Sequence, residues 1–339
     1  PLGACVQADL LMLWQQLAAF GQKAGFVAEV RERALALADG NPRLLEWLDK
    51  VLRAPGAVSV AALLDALEGE RKKELREQVL AAALLAQVDG PMRGMLARAL
   101  VYELPVPRAA SVEVCEGVDG AEQLVERAVA LGLLEQSPDG SLRVPRVLPL
   151  EGAENKELAV PAARVLYRLW WEEAESSSEL QALEIHRLAV EGRDEQVVST
   201  IAYNISNTWR GQSRFREIVQ LGNSATKISQ ATALLKEIGY AEHQLGNAAK
   251  ATQYYEAALE NCPDDEDEKA SLFHFVGILR AQQGDVDGAI TLYQKSLEIK
   301  EKIGNEQGKA ATLHLMAQLI DQQGEVYGTI DHKQHTIEI

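Results

Sequence analysis

The sequence predicts an all-α chain, and three observations carry that expectation. A glycine-centred pattern recurs: Ile238-Gly239-(x6)-Gly246-(x4)-Ala251-(x3)-Tyr255-(x2)-Ala258-Leu259 is followed by Val276-Gly277-(x6)-Gly284-(x4)-Ala289-(x3)-Tyr293-(x2)-Ser296-Leu297. A weaker copy reads Met316-Ala317-(x6)-Gly324-(x4)-Thr329, and the turn glycines lie 38 and 40 residues apart, a period typical of stacked helix pairs. Upstream, apolar residues keep helical spacing between Gly, Pro, Asn and Asp punctuation. Two-residue alternation is confined to the neighbourhood of Asp139-Gly140, so one small β-hairpin is expected to be the only sheet.

Composition narrows the possibilities. With 339 residues and 47% hydrophobic content the chain can bury several cores. Its longest apolar stretches, Val79 to Ala86 and Ala128 to Leu134, fall far short of the roughly 20 residues that span a bilayer. The chain opens Pro1-Leu2-Gly3-Ala4-Cys5 without Met, basic residues or an apolar leader, which reads as a piece of a longer protein. Cys5, Cys115 and Cys262 are odd in number and scattered, which fits a reducing, cytoplasmic setting. A net charge of −16 opposes phosphate backbones and anionic lipid, so no membrane partner is expected and nucleic acid is disfavoured.

The elements are taken in chain order. In the N-terminal segment, Ala38-Asp39-Gly40-Asn41-Pro42 ends one helix and starts another: Gly40 stops the first, Asn41 caps the next, and Pro42 takes its first position. Leu44, Leu45, Leu48, Val51 and Leu52 form its apolar face. Asp89-Gly90-Pro91 closes a later helix, Leu104-Pro105-Val106-Pro107 punctuates the one after it, and Ala121 to Leu131 carries Leu124, Val125, Ala128 and Leu131 at helical spacing. Leu133–Gln136 and Ser141–Val144 then read as two short strands around the Asp139-Gly140 turn. Helices followed directly by a hairpin are the plan of a winged helix. Downstream, Ser176-x-x-Glu179 reads as a capping box that opens a helix near Glu179, and Gly192-Arg193-Asp194 breaks it. Trp209-Arg210-Gly211 reads as a further turn before Phe215, Ile218, Val219 and Leu221. Degenerate helix pairs are therefore expected between 155 and 235.

In the C-terminal repeats, small residues at fixed offsets allow two antiparallel helices to approach, glycine makes the turn, and tyrosine fills the gap to the next pair. This pattern resembles the tetratricopeptide repeat, with spacing a few residues above the usual period and with Thr329 and Lys333 departing from it in the third copy. The expected organisation is a helical domain over 1–69, a winged helix over 70–152, a helical connector over 153–235, and a tetratricopeptide-type α-solenoid over 236–339. The order of these parts resembles the C-terminal portion of a STAND signal-transduction ATPase, the class that includes bacterial NLR-like defence proteins. That resemblance implies a sensor and regulatory arm, with a role in antiviral defence. It also implies that Gly40, Asn41 and Pro42 lie against ATP or ADP in the intact parent, with homo-oligomers formed through an upstream ATPase core. No phosphate loop is found, and none of the six histidines falls between 90 and 150, where many relatives carry a Met-His-Asp motif. The fragment is therefore expected to bind no cofactor and to catalyse nothing. A plain repeat scaffold is the alternative.

Other motifs resolve to blander readings. Gly304 to Ala310 mimics a phosphate loop, but it has three residues between its glycines, Ala after the Lys, and a helix before it. The acidic run Asp264 to Glu268 lacks the glycine and spacing of a calcium loop. His332 and His335 lack a third metal ligand, and no nucleophile accompanies any histidine. A DNA-binding winged helix is a further alternative, but Ala121 to Leu131 offers only Arg127 among Glu122, Gln123 and Glu126. The positive signal is a face of equivalent positions before each turn glycine: Gln244, Gln282 and Gln322; Lys236, His274 and His314; Tyr240 and Gln318; with His243 beside them. These residues form the expected groove for a protein or peptide trigger.

Overall fold

The computed structural model describes residues 28–38, 41–53, 60–70, 73–150, 156–263 and 265–337. The chain is all-α, about 74% helical, with one small antiparallel strand pair among the described residues. It divides into two compact units, Pro1–Gly192 and Arg193–Ile339.

Among the described residues the first unit starts with α1 (Ala28–Ala38), α2 (Pro42–Arg53), α3 (Val60–Gly69) and α4 (Lys73–Ala86). The backbone N–H of Arg43 donates to Asn41 Oδ1 at 3.1 Å, which satisfies one of the amides that α2 leaves unpaired at its start. Leu44, Leu45, Trp47, Leu48 and Val51 are buried, so the expected apolar face is the one that packs. Leu52's side chain and Gly40 lie outside the described residues.

Next come α5 (Gly90–Ala99), α6 (Arg108–Glu113), α7 (Ala121–Leu131), β1 (Glu135–Gln136) and β2 (Leu142–Arg143). Asp89 caps α5 by accepting from the N–H of Met92 at 3.0 Å. The strands pair in the register Glu135↔Arg143 and Gln136↔Leu142, and are shorter than the sequence suggested. The turn accounts for this: the N–H of Gly140 donates to the carbonyl of Ser137, Pro138 sits second, and Gly140 has φ +86°. Such a type I turn with a left-handed glycine supports a tight hairpin without extending its ladder. An isolated bridge between Val106 and Leu142 adds a third extended segment to this edge. Trp47 on α2 donates from Nε1 to the carbonyl of Gly132 at 3.1 Å, and Arg43 pairs with Glu135. Thus α2 packs on the base of the hairpin.

The unit closes with α8 (Lys156–Tyr167), a π turn (Arg168–Glu172) and α9 (Glu179–Gly192). The α9 cap differs from the expected one. The N–H of Ser178 donates to Gln181 Oε1 at 2.8 Å, and the N–H of Gln181 donates back to Ser178 Oγ at 3.3 Å. The box is Ser178-x-x-Gln181, two residues beyond the Ser176-x-x-Glu179 spacing, because Glu179 is already the first helical residue.

The second unit comprises α10 (Glu195–Gly211), α11 (Phe215–Ala225), α12 (Thr232–Gln244), α13 (Ala248–Glu260), α14 (Glu266–Gln282), α15 (Val286–Lys302) and α16 (Glu306–Ile337). The turn after Trp209 is made by Ser213 with φ +59°, not by Gly211, which ends α10. Gly246 and Gly284 have φ of +82° and +83° and join α12 to α13 and α14 to α15, as the repeat required. A Cβ on Gly277 would fall 2.6 Å from the ring of Tyr293, and one on Gly239 would fall 3.1 Å from the ring of Tyr255. Each pair therefore closes by laying a tyrosine onto a glycine. Gly324 departs from the expectation, since α16 runs through it as one helix. Glycine inside a helix costs about 1 kcal/mol and does not by itself force a turn.

Candidate functional site

The first helices of successive pairs are α12, α14 and α16, and the sequence placed its recognition residues on them. Gln244, Gln282, Gln318, Gln322 and His314 are exposed. His243 is half-buried, with its Nε2 at 3.0 Å from Gln282 Oε1 on the next first helix. Lys236 Nζ donates to Glu268 Oε2 at 2.7 Å, and His274 Nδ1 lies 2.9 Å from Thr312 Oγ1. Tyr240 stands edge-on to Phe215 at 6.0 Å, with the Arg210 guanidinium 5.6 Å from its ring. The predicted residues thus divide in two. Gln244, Gln318, Gln322 and His314 offer exposed amide and imidazole groups, while Lys236, His274 and the His243–Gln282 pair are rungs that tie each first helix to the next.

Behind this face lies a polar interior that the sequence pattern did not reveal. Arg210 Nη1 pairs with the buried Glu237 at 3.2 Å, and burial raises the Glu237 carboxyl above its usual range against the opposing effect of Arg210 and Lys236. Glu237 Oε2, Glu268 Oε1 and the Tyr255 hydroxyl are buried without a hydrogen-bond partner. Lys300 is also buried, donating to Thr312 Oγ1 at 2.9 Å and to the Gly308 carbonyl at 3.3 Å, and burial lowers its pKa. Ser296 occupies the place that Ala258 has in the preceding pair, and it satisfies its hydroxyl on the Ala270 carbonyl at 2.7 Å. The available signal was a charged residue inside an otherwise apolar helix face, such as Glu237 between Leu234 and Ala241.

The lookalike motifs are structural. Asn305 Oδ1 accepts from the N–H of Gly308 at 2.8 Å to start α16, and Lys309 pairs with Glu301 at 2.9 Å. In the acidic run, Asp265 caps α14, Asp267 accepts from Asn305 at 2.8 Å, and Glu266 pairs with Lys302, so the described carboxylates turn to separate partners. No cluster of three or more metal-ligating side chains occurs among the described residues. The side chains of His332 and His335 lie outside the described ones. Arg127 on α7 pairs with Asp89 at 3.0 Å. No described helix is long and apolar enough to cross a membrane.

At the proposed nucleotide contact, Asn41 is buried and its Nδ2 donates to Glu77 Oε1 at 2.7 Å while its Oδ1 caps α2. Pro42 opens that helix, and Gly40 lies outside the described residues.

Residues 229–302 match the tetratricopeptide repeat family. Among solved structures, the chain is similar to the signal transduction ATPase with numerous domains (STAND) protein with a tetratricopeptide repeat sensor from Pyrococcus horikoshii. The TM-score is 0.52 and the identity 14%, over 83% of this chain and 39% of that one. The chain therefore spans about two fifths of that protein's length. No curated protein matches its sequence.

Proposed function

We propose that this chain is the sensor and regulatory arm of a STAND-type ATPase, in which the tetratricopeptide face binds a protein trigger and a winged helix relays the event. The observation that carries this reading is the order of parts: a helical segment, a hairpin-bearing helical bundle and repeats, in a chain with the fold of a STAND protein whose sensor is a tetratricopeptide repeat. The winged helix is α5, the extended Val106 segment, α6, α7 and the β1–β2 hairpin. Its coupling to the end of the first unit rests on α9. Glu184 accepts from the N–H of Glu103 at 2.7 Å, and Arg187 bonds both Glu184, at 2.8 Å, and the Val101 carbonyl, at 2.7 Å. A shift of α9 therefore pulls directly on the loop between α5 and α6.

In the intact parent, Gly40, Asn41 and Pro42 contact ATP or ADP, while the fragment binds no nucleotide and has no catalytic activity. The trigger is a protein or peptide gripped by the exposed amides of Gln244, Gln282, Gln318 and Gln322, in a cytoplasmic setting and with a role in antiviral defence. Affinity capture with the full-length parent tests this. The Gln244→Ala/Gln282→Ala/Gln322→Ala variant should stay folded, with its melting temperature lowered only slightly by loss of the exposed His243–Gln282 bond, yet lose the captured partner. Unchanged capture would sink the assignment of this face. Capture that is indifferent to nucleotide would favour a plain scaffold.

A further inference from the structure

Away from the glutamine face, the second unit has two adjoining clefts of about 380 and 430 Å³ along α11 and α13. The first is bordered by Asn223 and Gln253, the second by Arg216 and Asn247, and both share Glu242 and Lys250. Glu242 stands on α12 two residues before Gln244, about 200° around the helix, so this groove opens on the other side of α12. Across the first cleft the Tyr254 hydroxyl donates to Asn223 Oδ1 at 3.1 Å.

The unusual feature is the floor. Glu242 is only 2% exposed. Its Oε2 accepts from Asn247 Nδ2 at 2.6 Å, but Oε1 has only the Lys250 ammonium at 3.8 Å, beyond hydrogen-bond reach. That lysine side chain is 65% exposed, a solvated cation on a flexible stem. Although the residue is nearly covered, Oε1 is not sealed off but reaches the cleft, where an incoming donor with its own positive charge can bond it.

We propose that these clefts form one groove that recognises an arginine side chain of a protein partner, with Glu242 as the counter-charge. The planar guanidinium suits the place: one N–H reaches Oε1, others reach the amide oxygens of Asn223 or Gln253, and the cation lies near the Tyr254 ring. Lys250 is the intramolecular competitor that swings out when the arginine enters. The second cleft also carries Arg216 and Glu217, and Glu217 is already paired with Arg214 at 3.2 Å, so the shared Glu242 is the carboxylate left to the arginine. The chain's charge of −16 draws basic partners toward the groove. This site does not depend on the glutamine face, so either can fail alone.

The test uses the full chain and the blocked peptide Ac-Ala-Arg-Ala-NH2, with its citrulline counterpart as the neutral isostere, and follows the side-chain amide NMR signals of Asn223 and Gln253. The arginine peptide should shift those signals, while the citrulline peptide and Glu242→Gln should each weaken binding by about tenfold, as expected when a charge-assisted bond becomes neutral. Lys250→Ala should tighten binding, a result that a purely structural lysine would not give. Equal binding of the two peptides, no binding of either, or weaker binding by Lys250→Ala overturns the proposal. If Glu242→Gln does not fold, the peptide pair and Lys250→Ala decide it.

Discussion

His274 illustrates how a side chain read for recognition is also engaged within the fold, and burial shifts His186 in the same direction. The sequence put His274 and Lys236 on the recognition face. Their partners, Thr312 and Glu268, lie on the next first helix, and no local pattern says which polar residues will meet across a helix pair. Burial, with a smaller push from Lys300, lowers the His274 pKa to about 4, and burial alone lowers that of His186 to about 4. In the unfolded chain both titrate near about 6.5, so between the two values the unfolded state binds more protons. Their contribution to stability is complete above the unfolded value, declines as the pH falls, and is gone below the folded one. Glu237 works in the opposite sense: its raised carboxyl favours the folded state most at low pH and less as the pH rises. Urea midpoints should therefore drop between neutral pH and about 4.5, and a His186→Gln/His274→Gln variant should flatten that slope. A slope unchanged in the variant would assign the acid sensitivity to carboxylates instead.

At the level of helices, the legible features were those set by backbone geometry. Gly246 and Gly284 announced their turns because a left-handed residue in a tight helical turn nearly demands glycine, and Asn41-Pro42 announced the start of α2. Features that depend on one residue of register were read less well. The α9 cap moved to Ser178, since three consecutive serines, Ser176 to Ser178, precede one helix start and the sequence does not say which residue is first to turn. Ser178→Ala should cost about 1 kcal/mol while Ser176→Ala costs close to nothing, as measured by thermal or urea unfolding. The reverse order would restore the Ser176 register. The glycine–tyrosine contact yields a graded expectation. Gly277→Ala must push its methyl into Tyr293, whereas Gly239→Ala meets Tyr255 at a looser 3.1 Å. The first change should cost about 1–3 kcal/mol and the second clearly less, and equal losses would show that helix separation is not the governing variable. The missing turn at Gly324 has the same root: a glycine permits a turn, but only the packing of a following helix enforces one.

For the chain as a whole, the sequence disclosed the helical class and the repeat stack, because both rest on periodicity summed over many residues. It could not disclose the buried charges of the second unit or the clefts along α11 and α13, which exist only once helices far apart in sequence are set side by side. The stack also has a direction in its stability. A substantial core joins Leu235, Tyr255, Ala258, Leu272, Val276 and Leu279, while among the described residues the next cluster has only Ala289, Tyr293 and Leu319 as buried members. On α16, Leu313 and Ile320 are each 47% exposed, apolar surface that no described neighbour covers. In a linear array each helix pair is held by its own packing and by its nearest neighbours, so the pair with the smaller shared core opens first. Native-state hydrogen exchange should accordingly be slowest at the amides of Leu235, Tyr255 and Leu272, intermediate along α15, and fastest toward the end of α16. Leu319→Ala, which deepens the deficit at the smaller cluster, should speed exchange in α15 and α16 while leaving α12 and α13 nearly unchanged. Uniform protection to the last turn, or a Leu319→Ala effect that spreads equally through all the helices, would mean that the unit melts as a single block and that nearest-neighbour packing is not what holds it.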